Sequence, residues 1–176
     1  MPIRETKEQD LMQIDALYRS ARAALKAQGV DQWQDGDYPN AEDARQDMLH
    51  GTGYVLEENG EILAAACIAF GREPTYDVVK DGAWGAQPET YGFLHRIAVA
   101  PHAKGQNIAG RMFEELKRQA EQRGITVLRA DTHRDNLPMQ RALQKAGYSY
   151  RGIIYLEDGD ERLAYERILG ATNSTD

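Results

Sequence analysis

The sequence predicts a mixed α/β fold, and two observations lead to that class. Apolar residues recur at helical spacing in four segments and form strand-like runs in seven others. These elements follow in the order β-α-α-β-β-β-α-β-α-β-β, without internal repeats or low-complexity segments. A chain of 176 residues with 41% apolar content can build a real core but is short for two domains, so we expect a single domain over residues 1–170.

A strand and two helices are predicted at the N-terminus. The run PIRE, residues 2–5, is a candidate first strand. A long amphipathic helix follows and ends at Gly29. Its apolar face recurs at steps of three and four: Leu11, Ile14, Leu17, Tyr18, Ala21 and Leu25. Asn40 is a favourable N-cap for a second, shorter helix, which Gly51 stops.

The middle of the chain predicts a hairpin, a long loop and another strand. Residues 53–71 read GYVLEENGEILAAACIAFG, two apolar strands joined by Asn59-Gly60, a dipeptide that tolerates positive φ at a tight turn. Residues 71–89 form a loop of the length that is often functional or mobile. The run TYGFLHRIAVA, residues 90–100, is the next predicted strand.

The last part of the chain alternates strands with helices. A third helix, closed by Gly124, is predicted from an apolar stripe at helical spacing: Ile108, Met112, Phe113, Leu116 and Ala120. A strand is expected over residues 126–132 and a fourth helix over residues 138–147. A closing hairpin with its turn at Asp158-Gly159 is predicted over residues 150–156 and 161–169.

Composition excludes several classes of protein. The net charge of −7, from 28 acidic and 21 basic residues, would repel a phosphate backbone, so we expect no nucleic-acid partner. Cys67 is the one cysteine and lies in an apolar run, which excludes an internal disulfide and favours a buried, inert thiol. No run approaches the ~20 apolar residues that span a bilayer, and the N-terminal residues carry no apolar signal segment. We expect a cytoplasmic protein without a membrane partner, ending in a disordered polar tail at 171–176.

The run APHAKGQNIAGRMF, residues 100–113, points to an anion site. A helix that follows a strand directly presents unpaired N–H groups and the positive end of its dipole at the sheet edge. Small side chains at Gly105, Ala109 and Gly110 would let a phosphate approach the backbone, and Lys104 adds positive charge. The second glycine is not followed by the Lys-Ser/Thr pair that a P-loop requires. Taken alone, the run fits a flexible turn before a surface helix equally well.

Two segments resemble a known family. VAPHAKGQNIA, residues 99–109, ends a strand with Val-x-Pro and continues into a glycine-containing loop, and DNLPMQRALQKAGY, residues 135–148, places an asparagine before a helix that ends in Gly-Tyr. They resemble the pyrophosphate loop, Arg/Gln-x-x-Gly-x-Gly/Ala, and the N-x-x-A…GF segment of the GNAT superfamily of N-acetyltransferases. Lys104 and Asn107 depart from the loop pattern. Lysine keeps a positive charge, and asparagine tolerates the left-handed conformation of a glycine position.

The resemblance is looser before residue 90 but extends over nearly the whole chain. It implies a GNAT-like fold, in which a central mixed, mostly antiparallel sheet with splayed middle strands is flanked by about four helices. It also implies acetyl-CoA as the acetyl donor, without a metal. The pyrophosphate would bind backbone amides beside the positive charge of Lys104. These amides are those of Gly105, Gln106, Asn107, Ile108, Ala109 and Gly110. The pantetheine arm would pair like a strand with the backbone of Ile97, Ala98 and Val99. Asn136 would bond that arm or brace the next loop, or would simply cap the helix that follows it.

The implied reaction is acetyl transfer to a primary amine by direct attack on the thioester. It needs a proton acceptor, because an amine with a pKa near ~10.4 is mostly charged at neutral pH. In the family a carboxylate on the strand before the asparagine often serves, and Asp131 stands there. His95 is a second candidate, since a free imidazole accepts protons near pH 7, although it could also be bonded within the sheet. Either His95 or Arg96 should face the cleft.

Leu143 replaces the tyrosine that is the family's usual acid. Its substitutes would be Tyr148, Tyr155 or water.

Two features bear on the acceptor amine, which could be a small molecule or a peptide. Trp33, Tyr38 and Trp84 are candidate pocket walls or anchors for their own loops. An acidic run would attract a cationic amine or would be an ordinary solvated surface: Asp31, Asp35, Asp37, Glu42, Asp43 and Asp47. The sequence leaves open a homodimer, and also a non-catalytic acyl-CoA sensor, which Leu143 would suit.

Overall fold

A computed structural model describes residues 2–170, in which the strands form one sheet. The sheet has seven strands in the order β1-β2-β3-β4-β5-β7-β6. Every neighbouring pair is antiparallel except β4 and β5, which run parallel. The strands are β1 Ile3–Glu5, β2 Gly53–Glu58, β3 Glu61–Gly71, β4 Tyr91–Val99, β5 Val127–Thr132, β6 Ser149–Tyr155 and β7 Glu161–Ile168. The predicted order of elements and the mixed sheet are confirmed, and the predicted tail at 171–176 lies outside the described residues.

Four helices of residues 2–170 cover the sheet, and the apolar faces predicted for the first and third are buried, apart from Ala21, which is partly buried. They are α1 Leu11–Ala27, α2 Ala41–Leu49, α3 Ile108–Gln122 and α4 Leu137–Lys145. Asn40 caps α2 as expected, because its side chain accepts hydrogen bonds from the N–H groups of Glu42 and Asp43. Over residues 2–170, the helices are too short or too polar to cross a membrane.

The main core lies on β3 and β4, between the helices. Seven consecutive residues of β3, numbers 62–68, are buried, which means that both faces of this strand are covered. The apolar stripes of α1 and α3 pack in the same cluster as these strands. Cys67 is buried here, as predicted, and burial raises the pKa of its thiol to about 11.

The loop between β3 and β4, residues 72–90, is fixed to the sheet by a second cluster. Trp84 is buried with Tyr76 and Tyr91, and its indole N–H donates to the carbonyl of Tyr76 at 2.7 Å. The guanidinium of Arg129 lies 4.1 Å from the ring centre of Trp84 and donates to the buried carboxylate of Glu166. Trp84 therefore anchors its loop, and of its two predicted roles this is the one that the structure supports.

Two irregularities of β4 shape the sheet's centre. β4 and β5 pair only near their starts, at Gly92 with Leu128 and Phe93 with Arg129. Beyond Phe93, within residues 2–170, no strand pairs with this edge of β4, so the two strands splay apart as expected. The pairing of β4 with β3 also shifts by one residue, and Arg96 has a φ of 52°, which marks a β-bulge.

Candidate active site

A cavity of about 1130 Å³ opens where β4 and β5 diverge. It is lined by the forked strands, the starts of α3 and α4, and the loop between α1 and α2, residues 28–40. Most residues predicted to bind the cofactor line it: Ile97, Ala98, Val99, Lys104, Gly105, Asn107, Ile108, Ala109 and Asn136. Both candidate bases, His95 and Asp131, line it as well. Gln106 and Gly110 do not line this cavity, and their contact with a cofactor stays a prediction.

The start of α3 is open toward the cavity. Asn107 adopts the left-handed conformation expected at a glycine position, with φ 57° and ψ 31°, and provides no side-chain cap for the helix. The first N–H groups of α3 are thus left for a ligand or solvent, whereas α2 and α4 have asparagine caps. A Cβ atom at position 110 would overlap the side chain of Asn107, so the absence of a side chain at Gly110 makes room for Asn107. A contact of the backbone of Gly110 with an anion stays a prediction.

Asn136 caps α4, which confirms the structural alternative for this residue. Its Oδ1 accepts from the N–H of Met139 at 3.3 Å, and its Nδ2 donates to Oε1 of Gln32 at 2.9 Å. The second bond ties the 28–40 loop to the start of α4 at the side of the cavity. A contact of Asn136 with a cofactor stays a prediction, since both ends of its amide already have partners.

His95 lies between two carboxylates. Its Nε2 is 3.3 Å from Oε2 of Glu73, and its Nδ1 is 3.8 Å from Oδ2 of Asp131. The hydroxyl of Tyr76 donates to the same Asp131 oxygen at 2.6 Å. The two candidate bases are therefore neighbours in one polar group, in which His95 is hydrogen-bonded to Glu73 and Asp131 to Tyr76, and both bases line the cavity.

The environment sets the charges of this group. Burial, reinforced by the nearby Asp131, raises the pKa of Tyr76 well above its usual value, so the residue stays a neutral phenol and a donor. The hydrogen bond with His95 lowers the pKa of Glu73 despite partial burial, so Glu73 is ionised at neutral pH. The group consequently presents negative charge beside an imidazole.

Sequence reasoning missed Glu73. It lies in the 72–90 loop just before Pro74 and belongs to no motif or periodic pattern. The length of this loop was the one signal that it could be functional.

The bulge in β4 directs two successive side chains into the site. Successive residues of a regular strand point to opposite faces, but both His95 and Arg96 line the cavity, so the expectation of only one facing the cleft is wrong. Arg96 forms a two-point ion pair with Asp47 of α2 and donates to the hydroxyl of Tyr38 at 3.2 Å. This contact connects the bulge to the 28–40 loop.

Neither tyrosine that was predicted to replace the acid lies in the cavity. Tyr148 is buried against Phe113, and Tyr155 lies at the surface beside Lys80. Leu143 is fully buried and does line the cavity. Among the described tyrosines, Tyr38 alone lines it.

The predicted acidic run divides into two groups. Asp31 and Asp35 line the cavity together with Trp33 and Tyr38. Four others are bonded to groups elsewhere: Asp37 to Arg22, Glu42 to Arg45 and Gln46, Asp43 to the N–H of Asn40, and Asp47 to Arg96. Three further acids of the cavity come from the turn between β6 and β7, which the sequence did not indicate: Glu157, Asp158 and Asp160.

Comparisons with known proteins agree with this architecture. Residues 14–148 match the model of the acetyltransferase (GNAT) family. The chain is similar to a GNAT-family acetyltransferase from Streptococcus agalactiae, with 35% identity, a TM-score of 0.85, and coverage of 96% of this chain and 95% of that one. A GNAT-family acetyltransferase from Listeria monocytogenes shares the fold at 19% identity, with a TM-score of 0.69 and coverage of 96% and 94%.

No curated protein sequence matches the chain at a significant level. The family match nevertheless extends over more than half of the chain, and the 35% identical structure covers nearly all of it. Together with the forked sheet and the open start of α3, these similarities establish that the protein belongs to the GNAT family of acetyltransferases.

Proposed function

We propose that this protein transfers an acetyl group from acetyl-CoA to a primary amine. One observation carries the proposal: a single cavity joins an uncapped helix start, an unpaired strand edge and a histidine flanked by two carboxylates. Acetyl-CoA would supply the activated acetyl group as a thioester. Binding the donor and removing a proton from the amine would be the tasks of the chain's own residues.

The residues at one end of the cavity fit a long anionic thioester. Backbone N–H groups at the start of α3, with Lys104 beside them, suit a pyrophosphate. The free edge of β4 from Ile97 to Val99 suits an extended arm that contains amide groups, because such an arm can pair with the backbone as a strand would. Gln106 and Gly110 would contribute through their backbone alone.

The residues at the fork fit removal of a proton from an ammonium group. His95 would accept the proton, and Glu73 and Asp131, placed at its two ring nitrogens, would orient the ring and stabilise its charged form. Tyr76 would hold Asp131 in place through its hydroxyl. Asp131 acting as the base itself is the alternative within the same group.

The charge of the cavity favours a cationic acceptor. Glu73 and Asp131 lie at the fork, and Asp31 and Asp35 line the wall formed by the 28–40 loop. Such a field attracts a positively charged amine and raises its encounter rate. Of the basic residues that line the cavity, Arg96 is paired with Asp47, and Lys104 lies at the end proposed for the pyrophosphate. Arg141, Lys145 and Arg162 also line the cavity, so the excess of acidic groups is local to the fork and the 28–40 loop.

A second candidate function is a non-catalytic sensor of acyl-CoA. Leu143 favours it, since an apolar side chain in this cavity position cannot protonate a leaving thiolate. The same cavity would then bind the thioester without turnover.

Thiol release from acetyl-CoA, measured with a panel of cationic, neutral and anionic amines, tests the proposal. Catalysis predicts release with at least one amine and loss of most of this rate in His95→Gln. Stabilisation of the fold by CoA in a thermal-shift assay, without release for any amine, would favour the sensor. Absence of both would reject an acyl-CoA site in this cavity.

A further inference from the structure

Two buried hydroxyl groups in residues 2–170 have no hydrogen-bond partner. They belong to Thr132 and Tyr148. An unpaired buried hydroxyl lowers stability, so each one requires an explanation. The two differ in one respect: Thr132 lines the cavity, whereas Tyr148 does not.

Thr132 is the last residue of β5 and lies at the fork. On one edge it pairs with Leu163 of β7, and its other edge faces the gap between β5 and β4. Asp131 points toward Tyr76 and His95, so Thr132, the next residue along a regular strand, points to the opposite face. Ala130 shares that face and packs in the cluster that contains α3. The hydroxyl therefore lies on the side of the cavity that the open start of α3 faces.

Asn136 and Leu143, which also line the cavity, differ from Thr132 in this respect. Asn136 is bonded at both ends of its amide, and Leu143 is apolar. Within residues 2–170, Thr132 alone combines a fully buried, unpaired hydroxyl with a place in the cavity lining, and it follows Asp131 directly in the chain.

We propose that the hydroxyl of Thr132 binds the arm of acyl-CoA near its thioester. This inference depends on the proposed function, because it assigns one more contact to the same donor. The free protein carries the unpaired hydroxyl, and the bound donor supplies its missing partner. Thr132 is thus a binding residue whose presence costs stability in the free protein and increases affinity for the donor.

Two isosteric variants test this proposal. Thr132→Val removes the unpaired hydroxyl, so the Tm of the free protein should rise by about 2–4 °C. The affinity for CoA, measured by calorimetry with CoA alone, should fall about 5- to 10-fold. Tyr148→Phe is the matched control: it removes the other unpaired hydroxyl, outside the cavity, and should raise the Tm without changing the affinity for CoA.

Thr132→Ser completes the comparison. It keeps the hydroxyl and removes a methyl group, so the Tm should fall while CoA affinity stays within about 2-fold of the wild type. A lower Tm in Thr132→Val would show that the hydroxyl already has a partner in the free protein and would overturn the proposal. Unchanged CoA affinity in that variant would also overturn it, as would a rise confined to the KM of the amine.

Failure of the proposed function gives a different result. If the wild type binds CoA and Thr132→Val binds it equally well, only the contact of Thr132 is rejected. If the wild type does not bind CoA, both the acyl-CoA site and the contact of Thr132 are rejected.

Discussion

Nε2 of His95 lies 3.3 Å from Oε2 of Glu73, although the two residues belong to different elements, a central strand and the long loop that precedes it. Asp131 lies on the other side of the ring, so one imidazole is placed between two carboxylates. We therefore expect His95, Glu73 and Asp131 to have separate roles, which single substitutions can distinguish.

The first prediction concerns the base. His95→Gln should lower kcat by about 10²- to 10⁴-fold and remove the acid limb of the pH–rate profile, because general-base catalysis requires the deprotonated imidazole. Glu73→Gln and Asp131→Asn should lower kcat less and keep that limb. Loss of the acid limb in Asp131→Asn alone would instead identify the carboxylate as the base. Equal, small losses in all three variants would indicate a water relay or bulk solvent.

The second prediction concerns the start of α3. Gly105→Glu places a negative charge and bulk beside the N–H groups proposed for the pyrophosphate, so affinity for CoA should fall by at least about 10-fold. Gly124→Glu is the matched control, because both glycines have positive φ, with 85° at Gly105 and 67° at Gly124, and both have open space around them. Both variants should lose similar stability, measured by Tm. Normal CoA affinity in a folded Gly105→Glu protein would contradict the assigned loop.

The third prediction concerns the charge of the acceptor. For a cationic amine, kcat/KM should fall with added salt while kcat changes little, because the Debye length shrinks from ~10 Å at 0.1 M to ~3 Å at 1 M. Replacing Asp31 and Asp35 by asparagine should weaken this salt dependence. Glu42→Gln, in the same segment but outside the cavity, should leave it unchanged. A flat salt response in the wild type would leave Trp33 and Tyr38 as the guides to specificity.

The fourth prediction concerns Cys67. Its burial and its pKa of about 11 should make it react with iodoacetamide at pH 7.5 about 100-fold or more slowly in the folded protein than in urea. Mass spectrometry counts the label, and the unfolded chain should take up one equivalent, since the sequence has one cysteine. Rapid labelling of the folded protein would show that this part of the core opens easily.

The fifth prediction concerns acid stability. Asp10 is buried and accepts hydrogen bonds from Arg4 at 2.7 and 3.0 Å and from the N–H of Lys7 at 2.8 Å. The bonds with Arg4 lower the pKa of Asp10 below its value in the unfolded chain, ~3.9, so its stabilisation is full above that value and is lost as pH falls through the folded pKa.

Asp10→Asn should therefore lower the free energy of unfolding by about 1–3 kcal/mol at pH 7, with a smaller difference from the wild type near pH 3. Urea denaturation at both pH values measures this difference. Asp77→Asn, which breaks an exposed pair with Arg72, should have less effect at either pH. A loss in Asp10→Asn that is the same at both pH values would show that charge is not the cause.

The spacing of apolar residues and the turn residues were enough to predict the elements and their order. The buried faces of α1 and α3 follow from apolar spacing, the cap of α2 from Asn40, and the left-handed start of α3 from Asn107 in a glycine position. The sequence also placed His95 and Asp131 each on a predicted strand. All of these depend on side chains a few residues apart, and local backbone preferences therefore encode them.

The contacts of those residues, in contrast, depend on how distant segments pack together. Glu73 reaches His95 because Trp84 and Arg129 fix its loop to the sheet, and the bulge at Arg96 directs two successive side chains into one cavity. The packing of distant segments also pairs part of the acidic run with basic groups, and it leaves the hydroxyl of Thr132 without a partner. Each outcome depends on distances between segments tens of residues apart, which the packing of the whole sheet sets and no local pattern in the sequence records.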